Sequence, residues 1–143
     1  MSDTRKELGY LRSNGVRWAV FERSGSRAIK EKGRSMAGID ITPDAQGKVR
    51  DLYDLGDKLL LVASDRISAF DYILEDEIPY KGQVLTQLSC FWFDLLSDVV
   101  DNHLISADVA DLPEQFKPYA DKLAGRFMLV KKANMLPVEC IVR

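Results

Sequence analysis

The chain has 143 residues, of which 46% are hydrophobic and 29% charged, and its formal net charge is -2. This length fits one domain, the composition is that of an ordinary soluble globular protein, and so small a charge gives no reason to expect a nucleic-acid partner. No apolar run approaches the roughly 20 residues of a membrane span, and the two cysteines, Cys90 and Cys140, are too few for a disulfide framework. The expected cellular location is the cytoplasm.

The charge is unevenly distributed along the chain. Residues 1–35 carry nine Lys/Arg against four Asp/Glu, whereas the remainder carries eleven against eighteen. This shift predicts a boundary near Met36, with residues 1–35 forming a basic, flexible extension and residues 36–143 forming the folded domain. An alternative interpretation takes Met36 as the natural first residue.

The first regular elements are predicted after Gly47. Residues 48–54 and 58–63 have the composition of two short strands bounded by turn residues, and the intervening Asp-Leu-Gly-Asp is suited to a tight connection. The sequence therefore predicts an antiparallel hairpin here.

A long helix is predicted over residues 83–100, because its apolar residues recur three or four positions apart. Two further runs, 126–130 and 137–143, have the pattern of strands separated by a turn. The order of two strands, one long helix and two strands predicts an α+β fold with a mainly antiparallel sheet. The apolar stripe of the helix consists of Val84, Leu88, Trp92, Leu95 and Val99.

A first candidate site lies at Gly47. Lys48 and Arg50 alternate with an apolar residue, so in a strand they would share one face and could hold a polyphosphate. The spacing is not that of a P-loop. The alternative is a solvated strand face without a ligand.

Two further candidates precede the helix. Residues 64–71 hold two carboxylates, a guanidinium and two hydroxyls, which could bind Mg²⁺ or an anionic substrate. Alternatively, Asp and Ser in this segment cap turns and a helix start. Lys81 lies just before the predicted start of the helix, whose positive end could attract an anion. The alternative interpretation is that Lys81 is a surface lysine without a ligand.

The last candidates lie near the C-terminus. In residues 130–137 an apolar strand runs into a turn, where a flat adenine could stack between Val and Met side chains. The alternative is a hairpin with a basic tip. Arg143 shares a strand face with Glu139 and is suited to a carboxylate or phosphate, although the pair could equally be two surface charges.

Taken in order, these segments resemble the SAICAR synthase family, also called phosphoribosylaminoimidazole-succinocarboxamide synthase. The resemblance covers about residues 47–143, and the succession of GK-x-R-D, DRISAFD and PVECIVR at these distances is specific to that family. The matching text is GKVRDLYDLGDKLLLVASDRISAFD (47–71), IPYKGQVLTQLSCFWF (78–93), NHL (102–104) and LVKKANMLPVECIVR (129–143).

The resemblance implies that residues 36–143 form a nucleotide-binding domain like the N-terminal lobe of an ATP-grasp or kinase-like fold. It also implies an ATP-dependent ligase of purine biosynthesis. Such an enzyme joins L-aspartate to carboxyaminoimidazole ribonucleotide (CAIR) and yields SAICAR, ADP and phosphate. The implied partners are these small molecules, with neither nucleic acid nor membrane, and the implied metal is Mg²⁺, with its ligands mostly outside this chain.

Carried over residue by residue, the resemblance implies three groups of site residues. The phosphate-contacting positions match Gly47, Lys48 and Arg50. The adenine side matches Val130, Lys132 and Met135. The substrate side matches Asp65, Arg66, Ser68, Asp71, Lys81, Gly82 and Arg143. Among these, the candidate catalytic residues are Asp71 and Arg143, the latter as the arginine that holds CAIR.

The sequence departs from the family after Arg143. Family members continue with a Gly/Thr/Ser-containing loop and, much later, an acidic D-x-K-x-E-F-G stretch expected at Mg·ATP, and neither occurs here. We therefore expect this chain to supply part of a composite site and to be inactive alone. The alternatives are a non-catalytic nucleotide-binding module and the product of an interrupted reading frame. Unpaired strands would favour self-association, which leaves a homo-oligomer open.

Overall fold

A computed structural model describes residues 7–13, 16–22, 35–70, 72–134 and 138–142. In the first two ranges and the last, it describes the backbone alone. The helices are α1 (Lys81–Leu95) and α2 (Ala120–Leu123), with 3-10 turns at Val109–Asp111 and Glu114–Tyr119. The strands are β1 (Glu7–Ser13), β2 (Val16–Glu22), β3 (Ala45–Gln46), β4 (Arg50–Asp54), β5 (Lys58–Ala63), β6 (Arg66–Ala69), β7 (Tyr72–Glu77), β8 (Leu104–Ser106), β9 (Phe127–Lys131) and β10 (Val138–Val142).

The chain divides into two units, one made of Met1–Ala28 and Asn134–Arg143 and the other of Ile29–Ala133. In the first unit β2 lies between β1 and β10, and both pairings are antiparallel. The sequence predicts a flexible extension where β1 and β2 are found, and the division at residue 35 stays a prediction. Strand β10 falls within the predicted run 137–143.

The second unit is built on an antiparallel sheet of five strands in the order β3-β4-β5-β9-β8. The register of β4 on β5 runs from Arg50 opposite Ala63 to Asp54 opposite Leu59. The predicted hairpin is thus confirmed in β4 and β5, and the predicted strand 126–130 in β9. With α1 between β5 and β8, the described residues form an α+β fold in which the sheet pairings are antiparallel.

One face of this sheet carries the hydrophobic core. Alternate residues of β4, β5 and β9 point into it and meet side chains from the segments before β3 and between β8 and β9. The Tyr53 and Phe116 rings meet edge to face at 5.0 Å, a preferred aromatic geometry. The buried members are Ile39, Tyr53, Leu60, Val62, Leu112, Phe116, Leu123, Phe127 and Leu129.

A polar network is buried beside this core. The Asp51 carboxylate accepts hydrogen bonds from Ser35 Oγ (2.9 Å), the Met36 N–H (2.7 Å) and Gln46 Nε2 (2.8 Å). The Tyr53 hydroxyl donates to Ser35 Oγ at 3.0 Å, and burial raises the pKa of Tyr53 to about 12. Because buried polar groups need partners, this network ties residues 35 and 36 to the sheet.

The remaining elements differ in part from prediction. Helix α1 begins two residues before the predicted start and ends at Leu95 rather than at residue 100. The sequence predicts no strand at residues 66–77, where β6 and β7 form a separate antiparallel hairpin, and it predicts nothing at β3 or β8. Cys90 is a free, half-buried thiol, while the Cys140 side chain lies outside the described residues. Within the described part of the chain, no helix is long and apolar enough to cross a membrane.

Candidate functional site

The first predicted site forms the tip of the β3–β4 hairpin. The Gly47 N–H donates to the Arg50 carbonyl at 2.8 Å, which closes a tight turn with Lys48 and Val49 at its end. The prediction that Lys48 and Arg50 share a strand face is therefore wrong, because the strand begins only at Arg50. Both cations are exposed at the same end of the sheet.

The hairpin tip is anchored to the end of β5. The Val49 carbonyl accepts hydrogen bonds from both the N–H and the Oγ of Ser64, each at 3.0 Å. Ser64 is only 2% exposed, so this double contact is shielded from water. In the sequence, this role of Ser64 is indicated only by its position directly after the apolar run of β5.

Arg50 also lines a narrow cleft between the sheet and α1. The side chains around it from the sheet are Arg50, Leu61, Ala63 and Met128, and those from the helix are Leu85, Thr86 and Ser89. This cleft lies on the sheet face opposite the core, because these strand residues alternate with the core residues. Val130, two residues after Met128, belongs to the same face.

Half-buried leucines extend this face from the cleft, which Leu61 lines, toward the other end of the strands. Leu52, Leu59 and Leu61 are neither fully exposed nor part of the core. They lie between the end of the sheet that holds Arg50 and the end that holds Val130, which is 1% exposed and pairs with Leu59. The two ends are about 14 Å apart along β5, because Ala63 opposite Arg50 and Leu59 opposite Val130 are four residues apart and a strand rises about 3.4 Å per residue. A ligand that contacts both must therefore lie along the strands.

At the far end of the sheet, Lys132 is held by β4 and the turn that follows it. Its N–H donates to the Asp57 carbonyl at 3.0 Å, and its Nζ forms an ion pair with Asp54. The hydrogen bond from Lys132 lowers the pKa of Asp54. Met135, the third residue predicted on this side, lies outside the described residues.

The start of α1 packs against the end of β5. An alanine Cβ at Gly82 would lie 2.7 Å from the Ala63 carbonyl oxygen, so only glycine permits this approach. The Asp65 carboxylate accepts a hydrogen bond from the Gly82 N–H (2.9 Å) and pairs with Arg126 (Nη2–Oδ2, 3.2 Å). Asp65 thus satisfies a backbone N–H in the first turn of α1 from a distant position in the sequence, and Arg126 joins this site although the sequence gives no signal for it.

The substrate-side residues lie around this helix start. Lys81 Nζ donates to the Arg66 carbonyl at 3.0 Å, which ties α1 to β6. The Arg66 Nε lies 3.6 Å from the Glu77 carboxylate across the β6–β7 hairpin. Ser68 is half-buried opposite Ile73. Asp71 and Arg143 lie outside the described residues.

Described members of two of the three predicted groups lie at the same end of β5. Arg50 pairs directly with Ala63, and Gly82 touches the Ala63 carbonyl, so the cationic hairpin tip and the start of α1 flank the same end of β5. Of the adenine-side group, Val130 and Lys132 lie at the opposite end of the same sheet. Among the residues that the structure describes, no group of three or more His, Cys, Asp or Glu side chains is placed to hold a metal ion.

The environment of Asp65 predicts a pH effect. Burial raises its pKa, but the Gly82 hydrogen bond and the Arg126 charge outweigh this, and the net pKa is lowered. Because the unfolded chain then binds a proton more readily, Asp65 stabilises the fold above about pH 4 and loses this effect as the pH falls through its lowered pKa. We expect Asp65→Asn to reduce the free energy of unfolding by about 2 kcal/mol at pH 7 and by progressively less as the pH falls below about 4.

Urea unfolding at several pH values measures this difference, with Asp94→Asn on the exposed side of α1 as the control. An Asp65→Asn deficit that stays constant down to pH 3 would contradict the role of the ionised carboxylate.

Comparison with known proteins finds relatives over the part of the chain that contains the candidate site. The family model described as SAICAR synthetase matches residues 44–143. Phosphoribosylaminoimidazole-succinocarboxamide synthases from Syntrophotalea carbinolica and Trichlorobacter lovleyi are 62% and 64% identical over 98 residues, which is 68% of this chain and 33% of each relative. The chain thus spans about one third of the length of the curated relatives it matches.

Solved structures show the same similarity. One SAICAR synthase superposes with a TM-score of 0.60 at 44% identity, covering 66% of this chain and 34% of that one. The SAICAR synthase from Saccharomyces cerevisiae in complex with SAICAR superposes with a TM-score of 0.56 at 45% identity, covering 62% and 32%. With a family match over residues 44–143 and these structural neighbours, the chain belongs to the SAICAR synthetase family.

Proposed function

We propose that this chain supplies the ATP-binding part of a ligase of purine biosynthesis that joins L-aspartate to CAIR. Family membership supports the reaction. The observation that carries the proposal is the sheet face opposite the core, where Arg50 and Val130 stand at opposite ends of a half-buried leucine surface. Such a face combines cations for phosphates with an apolar surface for a purine.

On this proposal ATP lies along the strands. The triphosphate meets Lys48, Arg50 and the backbone of Gly47 at the hairpin tip, much as a glycine-containing loop covers the phosphates in kinases. The adenine lies at the other end, near Val130, Lys132 and Met135. An ATP-grasp or kinase-like lobe is supported by the strand order β3-β4-β5-β9-β8 with α1 inserted between β5 and β8.

The chemistry proposed has two steps. A carboxylate oxygen of CAIR takes the terminal phosphoryl group of ATP, and ADP leaves. The aspartate amine then attacks the acyl carbon, inorganic phosphate leaves, and the amine loses a proton. Catalysis of this kind consists mainly of positioning and charge neutralisation, and Lys48 and Arg50 supply positive charge where the phosphates lie.

The substrate-side residues are proposed to receive CAIR and aspartate near the start of α1. Lys81 has one N–H committed to the Arg66 carbonyl, which leaves two donors of its ammonium for an anion. Arg66, Ser68 and Gly82 flank this position, and Asp71 and Arg143 are proposed to complete it. The described carboxylates do not form a metal site, so no step is assigned to Mg²⁺ on these residues. The chain alone is proposed to bind ATP in the cytoplasm without turnover.

Nucleotide binding by the purified chain tests this proposal. We expect ATP to raise the melting temperature, since a ligand stabilises by RT ln(1 + [L]/Kd). Lys48→Ala and Arg50→Ala should each weaken ATP binding about tenfold, which corresponds to about 1.4 kcal/mol. Isothermal titration calorimetry measures both affinities.

Lys117→Ala is the matched control, because Lys117 is an exposed lysine of the 3-10 turn Glu114–Tyr119 and pairs only locally with Glu114. It should bind ATP like the unmodified chain. If Lys48→Ala and Arg50→Ala bound ATP as tightly as Lys117→Ala does, the cationic hairpin tip would not be a phosphate site.

A further inference from the structure

Ser64 follows β5 directly and holds the tip of the β3–β4 hairpin from outside that hairpin. The tip turns between Gly47 and Arg50, and Lys48 and Val49 form its end. The Val49 carbonyl accepts two hydrogen bonds from Ser64, one from the N–H and one from Oγ, each at 3.0 Å. Because a carbonyl oxygen has two lone pairs, this one serine satisfies both of them.

The backbone of the hairpin fixes its two cations to different degrees. Arg50 is the first residue of β4 and pairs with Ala63, so the strand register determines its position. Lys48 precedes the strand and lies in the turn, next to Val49. The hydrogen bonds from Ser64 to Val49 therefore affect the position of Lys48 more than that of Arg50.

Ser64 is itself part of a rigid framework. It is buried, and the N–H of the preceding residue, Ala63, donates to the Arg126 carbonyl at 2.8 Å. The carbonyl of the following residue, Asp65, accepts a hydrogen bond from the Ile78 N–H at 2.9 Å. A buried residue that is fixed on both sides can hold a neighbouring turn in one position, as a preorganised binding site requires.

The base of the turn is fixed as well. Gln46 precedes the turn and pairs with Asp51 of β4, and its Nε2 donates to the buried Asp51 carboxylate at 2.8 Å. The base of the turn is thus tied to β4, and its end to the residue after β5. Both ties are made within the chain, so a ligand does not have to order the turn when it binds.

We propose that Ser64 is a positioning residue for ATP, whose hydroxyl holds Lys48 where the triphosphate binds. Ser64 acts through the Val49 carbonyl and need not touch the nucleotide. The proposal rests on the proposed function, because it requires that the hairpin tip binds the phosphates. Asp65 holds the start of α1 through the Gly82 N–H, so residues 64 and 65 together link the phosphate turn to the place proposed for CAIR.

Removal of the hydroxyl tests this role. Ser64→Ala keeps the backbone hydrogen bond to Val49 and loses the one from Oγ, so the chain should still fold. We expect ATP binding about fivefold weaker by isothermal titration calorimetry, the effect of one net hydrogen bond. Ser64→Thr retains the hydroxyl and should keep the dissociation constant within about twofold of that of the unmodified chain.

A double-mutant cycle separates positioning from a general loss of structure. If Ser64 acts through Lys48, Ser64→Ala should weaken ATP binding by less than about twofold when Lys48→Ala is already present. A general loss of structure would instead weaken binding by the same factor in both backgrounds.

Ser106→Ala is the matched control, because Ser106 lies on β8 at the other edge of the sheet and its Oγ bonds to Asp111 at 2.7 Å. It removes a serine hydroxyl and a hydrogen bond far from the hairpin tip. This variant should bind ATP like the unmodified chain.

Amide hydrogen exchange without nucleotide measures the turn directly. The Gly47 N–H donates to the Arg50 carbonyl and closes the turn. Ser64→Ala should speed exchange of this N–H by at least about fivefold, because local opening becomes easier when the turn loses a tie. Ser106→Ala should leave this exchange rate unchanged.

The results distinguish this role from the nucleotide site itself. Unchanged exchange at Gly47, equal ATP affinity of Ser64→Ala and Ser64→Thr, or an equal loss with and without Lys48→Ala would each overturn the role of Ser64. If Lys48→Ala weakens ATP binding but Ser64→Ala does not, the nucleotide site stands and the positioning role is wrong. If Lys48→Ala leaves ATP affinity unchanged, the nucleotide site is wrong and the role of Ser64 in ATP binding falls with it.

Discussion

Gly82→Ala is expected to destabilise the chain by about 3 kcal/mol, the upper end of the range for overpacking. The added Cβ would lie 2.7 Å from the Ala63 carbonyl oxygen and 3.2 Å from Asp65 Oδ1. A backbone carbonyl cannot rotate away as a flexible side chain can, so α1 must move off β5. That movement would also lengthen the hydrogen bond from the Gly82 N–H to Asp65. The gain in helix propensity from alanine, about 1 kcal/mol, offsets only part of this.

Urea unfolding followed by circular dichroism measures the effect as a lower transition midpoint at an unchanged slope. Gly47→Ala is the matched control, because its new Cβ would meet the Arg50 carbonyl oxygen at 3.5 Å, an ordinary contact distance. We expect this control to shift stability by less than about 1 kcal/mol. Equal stability of the two variants would show that α1 does not need its close approach to β5.

Asp51→Ala is expected to cost a similar amount, about 3 kcal/mol, for a different reason. The carboxylate is completely buried and accepts three hydrogen bonds from Ser35, Met36 and Gln46. Removing it leaves buried donors without a partner, at about 1–3 kcal/mol for each one that water cannot reach. The loss should also loosen the β3–β4 hairpin, because Gln46 flanks its tip.

Asp44→Ala provides the comparison for Asp51→Ala. Its carboxylate also accepts a backbone hydrogen bond, from the Asp54 N–H at 2.9 Å, but at an exposed position where water can replace it. We therefore expect a loss below about 1 kcal/mol. Thermal unfolding of both variants decides the point, and an Asp44→Ala loss as large as that of Asp51→Ala would show that burial of the Asp51 network contributes little.

Local patterns in the sequence were sufficient to predict several strands and the long helix. Strands β4, β5 and β9 follow from short apolar runs between turn residues, and α1 from apolar residues at helical spacing. The segments that carry the family resemblance, from Gly47 onward, agree with the match over residues 44–143. These features depend on neighbours within a few positions, which is why one sequence suffices to find them.

The β6–β7 hairpin escaped prediction for a physical reason. Its strands are short, β7 is exposed on both sides, and its turn contains Phe70 with a positive φ of 49° rather than a glycine. A strand is recognised in a sequence by apolar and polar residues that alternate, and this alternation is absent where neither side of the strand is buried. The pairing is set by contacts that the local sequence does not record.

By itself, then, the amino-acid sequence determined the family, the antiparallel character of the sheet and the positions of its central strands. The tertiary structure alone decided that Lys48 lies in a turn, that Asp65 is held by Gly82 and Arg126, and that α1 directs its apolar stripe away from the sheet. Periodicity shows that a helix has an apolar side, but the direction of that side is set by the residue that can approach the sheet most closely. Here that residue is Gly82, which has no side chain to keep the helix and β5 apart.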